Sequence, residues 1–138
     1  MRIVVSGDRF WDCPDLAAAT LRRLVARYGP DIVIVHGGAC GVDQAFAEAC
    51  RHLVIKAEPH VADWKGLGNI AGPARNREMV QAGADLCVAL HRSLESSKGT
   101  KDCVRQAISA GIRVYLIDGD EAVPKRIKLD DWRLASWV

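Results

Sequence analysis

Two glycine-rich turns in the sequence each lead into a helical pattern, an arrangement that binds anions in many proteins. The first turn contains Gly37, Gly38 and Gly41, and the second is Gly99 followed by Thr100. Glycine lets backbone N–H groups approach a ligand closely and permits positive φ. The N-terminus of the helix that follows carries a partial positive charge. These two turns therefore predict sites for a phosphate or another small anion.

Charged and aromatic side chains at the predicted turns could complete such a site. Arg9, Arg75 and Arg77 carry guanidinium groups, which bind phosphate or carboxylate in a bidentate manner. Asp43 has two interpretations, as an acceptor for ribose hydroxyls or as a residue that caps its own helix. Trp64 is likewise either a stacking platform for a base or a packing residue. Together these residues indicate a phosphate ligand with further polar and aromatic parts.

The commonest nucleotide-binding fingerprints are absent from the sequence. Lys98 precedes Gly99 instead of following a glycine, so the P-loop pattern Gly-x-x-x-x-Gly-Lys-Ser/Thr does not occur. No Gly-x-Gly-x-x-Gly follows the first apolar run, and neither His-Glu-x-x-His nor a Ser/His/Asp set is present. P-loop NTPases and NAD-dependent dehydrogenases are therefore disfavoured.

The elements that must position these residues are short apolar runs alternating with helical patterns. Continuous runs rich in Val and Ile are typical of parallel strands covered on both faces. The runs are Ile3–Val5, Ile32–Val35, Val54–Ala57, Leu86–Leu90 and Ile112–Ile117. The helical patterns run from Pro14 to the stop at Gly29, and over about Val42–His52, Pro73–Gln81 and Thr100–Ser109. This alternation predicts an α/β fold, a three-layer, doubly wound and mainly parallel sheet of about five strands.

A sheet of this kind binds its ligands outside the carboxyl ends of the strands. The glycine-rich turns follow apolar runs, so we expect them to meet at that one edge. The chain of 138 residues fits one domain. We place the domain at residues 1–117 and interpret residues 118–138 as a tail that packs on the domain or contacts a partner.

The composition limits the classes of protein to which the chain could belong. The apolar runs are far shorter than the roughly 20 residues of a membrane span, so no membrane partner is expected. The net charge of +2 argues against a nucleic-acid coat protein but permits a local positive pocket. The five cysteines are odd in number and have no Cys-x-x-Cys spacing. They predict free thiols in a reducing, cytoplasmic location, and neither a metal site nor a cofactor is predicted.

Five motifs in order along the chain resemble one known family. They are VVSGDR at 4–9, HGGACGVD at 36–43, ADW at 62–64, AGPARNREM at 71–79 and GTKD at 99–102. This set resembles the YspA, cpYpsA-related branch of the SLOG superfamily over about residues 2–117. The resemblance implies a Rossmann-like fold and a nucleotide or nucleotide-derived ligand. The superfamily also includes the Lonely guy phosphoribohydrolases, often labelled lysine decarboxylase-like, and the DNA-processing protein DprA.

Carried over by match, the resemblance implies a pocket of ten residues: Gly7, Arg9, Gly37, Gly38, Gly41, Asp43, Arg75, Asn76, Gly99 and Thr100. One departure concerns the phosphoribohydrolases, in which a catalytic Glu stands three residues after the Thr of the Gly-Thr pair. That position is Cys103 here, and Asp102 lies one residue earlier. One residue turns a helical side chain by about 100°, so Asp102 is not an automatic substitute. Glu95, in the preceding loop, is the other candidate catalytic carboxylate.

Three functions follow from these observations. The favoured one is binding of a nucleotide or nucleotide-derived phosphate ligand, in a sensor or accessory role. The second is hydrolysis of the N-glycosidic bond of nucleoside monophosphates, with Asp102 or Glu95 at the ribosyl centre. The third is single-stranded DNA binding as in DprA, which the nearly balanced charge makes the least favoured. Homodimerisation is expected from the family and from the tryptophans of the tail.

Overall fold

A six-stranded sheet runs through the centre of the computed structural model, which describes residues 1–135. The strand order is β3-β2-β1-β4-β5-β6. Neighbours among the first five strands pair in parallel, whereas β6 is antiparallel to β5. The strands are β1 Arg2–Gly7, β2 Val33–His36, β3 Lys56–Pro59, β4 Leu86–Leu90, β5 Arg113–Ile117 and β6 Lys125–Ile127.

Helices cover both faces of this sheet. They are α1 Pro14–Tyr28, α2 Val42–Leu53, the single turn α3 Trp64–Leu67, α4 Ala71–Gln81 and α5 Gly99–Ser109. Short 3-10 turns occupy Gly68–Ile70, Leu94–Ser96 and Trp132–Leu134. Helices α1 and α2 share one core with the sheet, and α4 and α5 share the other. No helix within residues 1–135 is long and apolar enough to cross a membrane.

Each central strand supplies side chains to both cores, which explains why its sequence is apolar without alternation. Ile3 and Val5 of β1 pack in the core that contains Phe46 of α2. Val4 points to the opposite face, into the core that contains Met79 of α4. Successive side chains of a strand point to opposite faces, so a strand covered twice needs apolar residues at every position. The predicted three-layer α/β architecture is confirmed.

The third strand begins later than predicted. Val54 and Ile55 were expected in the strand Val54–Ala57, but the strand starts at Lys56. Helix α2 continues to Leu53, and Val54 ends it in the left-handed conformation with φ of 56°. The backbone N–H of Ile55 still donates to Cys50 O at the helix end (2.8 Å). Other element ends differ from prediction by one or two residues, as is usual for helix and strand ends.

The C-terminal segment adds the sixth strand, which the sequence pattern did not predict. Val114 of β5 pairs with Ile127 of β6. Ile127 and Leu134 are both buried in the core shared by α4 and α5. Trp132 is exposed, and Trp137 lies outside the described residues.

The strand order places a crevice between β1 and β4. The chain proceeds from β1 outward to β2 and β3, then returns to the other side of β1 to form β4 and β5. At this switch point the loops that follow β1 and β4 leave the sheet in opposite directions. The carboxyl edge of the sheet is therefore open at this position.

Candidate functional site

A cleft of about 380 Å³ opens at this switch point. Its walls come from the loop after β1, the turn before α2, one residue of α4 and the segment between β4 and α5. The lining residues are Ser6, Gly7, Asp8, Arg9, Phe10, Ala39, Asp43, Arg75, His91, Ser96, Ser97, Lys98, Gly99 and Thr100. The structure thus brings six of the predicted ligand residues to the cleft: Gly7, Arg9, Asp43, Arg75, Gly99 and Thr100.

The loop after β1 is fixed by its own backbone and by α2. The carbonyl of Asp8 accepts from the N–H of Val42 (3.1 Å) and of Trp11 (3.3 Å). The carboxylate of Asp8 accepts from the N–H of Phe10 (2.8 Å). Gly41 has φ of 71°, and a β-carbon there would overlap the backbone of Asp8 and Arg9. Glycine at 41 therefore lets the start of α2 approach the loop closely.

Asp43 supports the cleft with one carboxylate oxygen and leaves the other unpaired. Its Oδ2 accepts from the backbone N–H of Gly37 (3.1 Å) and of Ala39 (3.3 Å). Its Oδ1 is buried and has no hydrogen-bond partner among residues 1–135. Burial raises the pKa of Asp43 to about 6, although the two backbone N–H groups and the positive charge of Arg75 oppose the rise. Asp43 therefore braces the turn before its helix with Oδ2 and leaves Oδ1 as a buried, unpaired acceptor.

Arg75 reaches the cleft from α4 and is held by two hydrogen bonds. Its Nη1 donates to the carbonyl of Gly37 (2.8 Å), and its Nε donates to Asn76 Oδ1 (3.0 Å). A β-carbon at Gly37 would overlap the guanidinium group, so glycine at 37 makes room for Arg75. No carboxylate within the described chain forms an ion pair with Arg75. Its charge is therefore available to an anion in the cleft.

The start of α5 forms the opposite wall. The first backbone N–H groups of a helix have no acceptor within it, and here they belong to Gly99 and Thr100. Ser97 Oγ accepts from the N–H of Lys101 (3.0 Å), which fixes the turn before the helix. Lys98 adds a positive charge beside this helix end. Of the two predicted anion turns, the one at Gly99 and Thr100 lines the cleft. In the other turn, the backbone N–H groups of Gly37 and Ala39 already donate to Asp43, so they are not available to an anion.

Asn76 lies behind the cleft wall and connects α4 to α5. It is buried, and its Oδ1 accepts from Arg75. Its Nδ2 donates to the carbonyl of Gly99 (3.1 Å) and to Asp102 Oδ2 (2.9 Å). Asn76 therefore positions Arg75 and the start of α5 without lining the cleft itself.

The two carboxylates predicted as catalytic do not line the cleft. Asp102 Oδ2 accepts from Asn76 and from Gln106 Nε2 (2.8 Å), so it connects α5 to α4. Glu95 is exposed on a 3-10 turn, where its carboxylate accepts from Ser93 Oγ (3.1 Å). Cys103 is fully buried in the core beneath α5. The carboxylates that do line the cleft are Asp8 and Asp43.

The remaining predicted ligand residues do not line the cleft. Gly37 and Gly41 shape its walls, as described above. Gly38 borders a neighbouring hollow with His36 and Cys40. Trp64 is half exposed on α3, and its ring lies against Gly72 at the start of α4.

Several lining residues were missed as individual candidates. Phe10 is 84% exposed and stands at the cleft beside Arg9. His91 directly follows β4, and this position at the end of a central strand is the signal that could have identified it. His91 Nδ1 accepts from the N–H of Ser93 (3.0 Å), so a neutral ring carries its proton on Nε2. Burial lowers the pKa of His91, although the charges of Asp8 and Glu95 oppose this change.

Comparison with known proteins connects this fold to one family. The family model of YAcAr, the YspA, cpYpsA-related SLOG family, matches residues 1–66. The Gene 61 protein of Mycobacterium phage D29 is 38% identical over 118 residues, which cover 82% of this chain and 93% of that protein. The residues that match the family model include the loop after β1 and the turn before α2, and both of these contribute residues to the cleft. The chain belongs to the YspA, cpYpsA-related SLOG family.

Proposed function

We propose that the cleft binds a nucleotide or a nucleotide-derived phosphate ligand, in a sensor or accessory role. The observation that carries this proposal is the unpaired Oδ1 of Asp43, buried next to positive charge. A buried polar atom without a partner is costly unless something completes its hydrogen bonds. A ligand with both hydroxyl donors and an anionic group would match Asp43 and the cations together.

The phosphate would lie at the start of α5. The backbone N–H groups of Gly99 and Thr100, at the positive end of an 11-residue helix, suit an anion there. Arg9, Arg75 and Lys98 line the same cleft and would add charge-assisted hydrogen bonds. Membership of the SLOG family supports a nucleotide-related ligand.

The sugar and the base have separate candidate contacts. Asp43 Oδ1 would accept from a ribose hydroxyl, since a carboxylate oxygen is an acceptor only. Phe10 is exposed at the cleft and would offer its ring to a base, a role that the sequence left open for Trp64. Trp64 lies on α3 outside the cleft lining.

Calorimetric titration with AMP, adenosine, ribose 5-phosphate and inorganic phosphate tests this proposal. We expect AMP to bind most tightly, since it alone engages all three contacts. Asp43→Asn and Arg75→Gln should each weaken AMP binding about ten-fold or more, as loss of a hydrogen bond to a charged group does. Arg77→Gln is the matched control, because Arg77 is exposed on the same helix and does not line the cleft. Equal AMP affinity in Arg75→Gln and Arg77→Gln, or no binding of any of these compounds, would overturn the proposal.

A second candidate function is cleavage of the N-glycosidic bond, with Asp43 in the role assigned above to Asp102 or Glu95. The observation that favours it is a buried cleft carboxylate with a pKa of about 6, near the range that suits a general base. Asp43 would take a proton from water as that water adds to C1′. The C1′–N bond would break, the base would leave with the bonding electron pair, and it would take up the proton that Asp43 had removed from the water.

Chromatographic detection of free adenine from AMP tests this second function. Asp43→Asn should abolish release, whereas the double variant Asp102→Asn/Glu95→Gln should retain it. Release that survives Asp43→Asn, or no release from AMP and the other common nucleoside monophosphates, would remove this candidate. The binding proposal would stand in the second case.

A further inference from the structure

A second groove, of about 290 Å³, lies between α1 and the β4–β5 pair. It shares no lining residue with the cleft. Its floor is the sheet face formed by Val88, Tyr115 and Ile117. Leu24 and Tyr28 of α1 form one wall. The groove is therefore an apolar, aromatic-lined pocket on the α1 side of the sheet.

Three arginines surround this apolar floor. Arg23 and Arg27 project from α1, and Arg113 begins β5. All three are exposed, and none forms an ion pair with a carboxylate in the part of the chain that the structure describes. The groove thus combines a strong local positive charge with apolar surface.

The two tyrosine rings already lie near guanidinium groups. Arg27 Cζ is 5.5 Å from the ring centroid of Tyr28, and its Nε donates to Tyr28 Oη (3.3 Å). Arg126 Cζ, on β6, is 6.0 Å from the ring centroid of Tyr115. Arginine stacks on planar rings and binds carboxylates or phosphates through its fork of N–H groups. The groove therefore has the chemistry to contact both a planar apolar body and an anionic head.

We propose that this groove binds a small aromatic anion, a planar apolar body with one carboxylate or phosphate head. A mostly apolar lining with a few polar groups at its border is typical of small-molecule sites. The arginines select for negative charge, which a neutral apolar ligand lacks. A second copy of the chain is a poorer occupant, because a two-fold contact across this face would bring the arginines of one copy against those of the other. The proposal is independent of the function proposed for the cleft.

Binding of 2-naphthoate to the isotope-labelled protein, followed by backbone amide chemical shifts, tests the groove. We expect saturable shifts at Leu24, Tyr28 and Tyr115, and an affinity about ten-fold or more above that of neutral 2-naphthamide, which lacks the charged acceptor. 2-Naphthyl phosphate distinguishes the two head groups. Equal affinity of naphthoate and naphthamide, or shifts confined to the cleft residues, would overturn the proposal.

Neighbouring arginines on α1 provide a matched pair of variants. Arg23 lines the groove, whereas Arg22 is exposed on the same helix and does not line it. Arg23→Gln and Arg113→Gln should each weaken binding of the anionic probe, and their combination should weaken it further. Arg22→Gln should leave the affinity unchanged, and AMP binding should be the same in all three single variants. Similar losses in Arg22→Gln and Arg23→Gln would show that only the general positive charge of α1 matters, which contradicts a defined site.

Discussion

The amide Nδ2 of Asn76 lies 2.9 Å from Asp102 Oδ2, so this carboxylate is hydrogen-bonded to the neighbouring helix α4. Asp102 is the acidic residue one position before Cys103, where the phosphoribohydrolases have their catalytic Glu. The same Nδ2 of Asn76 also donates to the carbonyl of Gly99, and Oδ1 of Asn76 accepts from Arg75 Nε. This set of hydrogen bonds couples the two walls of the cleft. In this chain Asp102 is therefore a positioning residue for the cleft.

Replacement of Asp102 should cost stability, in contrast to replacement of Glu95. Asp102→Ala removes the acceptor for Asn76 and Gln106 and should lower the free energy of unfolding by about 1–3 kcal/mol. Glu95→Ala changes an exposed side chain and should stay within about 0.5 kcal/mol of the parent. Urea denaturation of the two variants measures both values. Equal stabilities would contradict the positioning role of Asp102.

The stability of the protein should depend on the protonation of Asp43. Its pKa is raised from 3.8 to about 6 in the folded state, so the folded chain holds this proton more tightly than the unfolded chain. The resulting stabilisation is complete below the unfolded value of 3.8 and is lost as the pH rises through about 6. Asp43→Asn should remove a pH-dependent decrease in the free energy of unfolding on the order of 3 kcal/mol. Parallel stability curves for parent and variant between about pH 3 and pH 7 would show that Asp43 does not titrate in this way.

A histidine at the β3 edge should make stability fall as the pH rises above 6.5. His60 Nε2 lies 2.8 Å from Glu58 Oε2, and Nδ1 lies 2.7 Å from Glu78 Oε1. Burial favours the neutral ring, but these two carboxylates outweigh it and raise the pKa of His60 above 6.5. The stabilisation is present below 6.5 and is lost as the pH rises through the folded value. His60→Gln should reduce the fall in the free energy of unfolding as the pH rises above 6.5. His52→Gln, at an exposed histidine paired with Glu48, is the matched control.

The carboxylate of Glu58, which lies between Arg2 and His60, should make the stability of the protein fall at acidic pH. Hydrogen bonds from Arg2 and His60 lower the pKa of Glu58 from 4.5 to about 2. The stabilisation is present above 4.5 and is lost as the pH falls from 4.5 to about 2. Glu58→Gln should reduce the loss of stability on acidification, measured by thermal unfolding at a series of acidic pH values. If Glu58→Gln leaves the fall in melting temperature at acidic pH unchanged, Glu58 does not contribute to that fall.

Gly41 should not tolerate alanine, because its backbone conformation and its close neighbours both require glycine. Gly41→Ala imposes a φ of 71° on a side chain and drives its β-carbon into the backbone of Asp8 and Arg9. We expect a loss of about 1–3 kcal/mol or more in the free energy of unfolding. Gly99→Ala is the control, because a β-carbon there meets no atom of residues 1–135 within 4 Å. Chemical denaturation distinguishes the two, and tolerance of alanine at 41 would contradict the close approach of α2.

The chemistry-bearing turns could be predicted from the sequence because each one lies between a strand and the helix that follows it. Gly37, Gly99 and Thr100 depend only on where β2 and α5 begin and end, and parallel strands bring such turns to one edge. The direction of Asp102 could not be predicted, since its partner Asn76 is 26 residues away on another helix. The strand β6 left no pattern either, because two of its three residues are the charged Lys125 and Arg126.

The strand β6 lies beyond the part of the chain that resembles the family, yet it contributes to the folded core. The family resemblance ends near residue 117, but Ile127 and Leu134 are buried in the core beyond that point. A chain shortened to residue 117 would expose the edge of β5 and lose both side chains, each contributing roughly 1.5–3 kcal/mol. Such a shortened chain would keep every residue that lines the cleft and yet lose much of the stability that holds the cleft in shape.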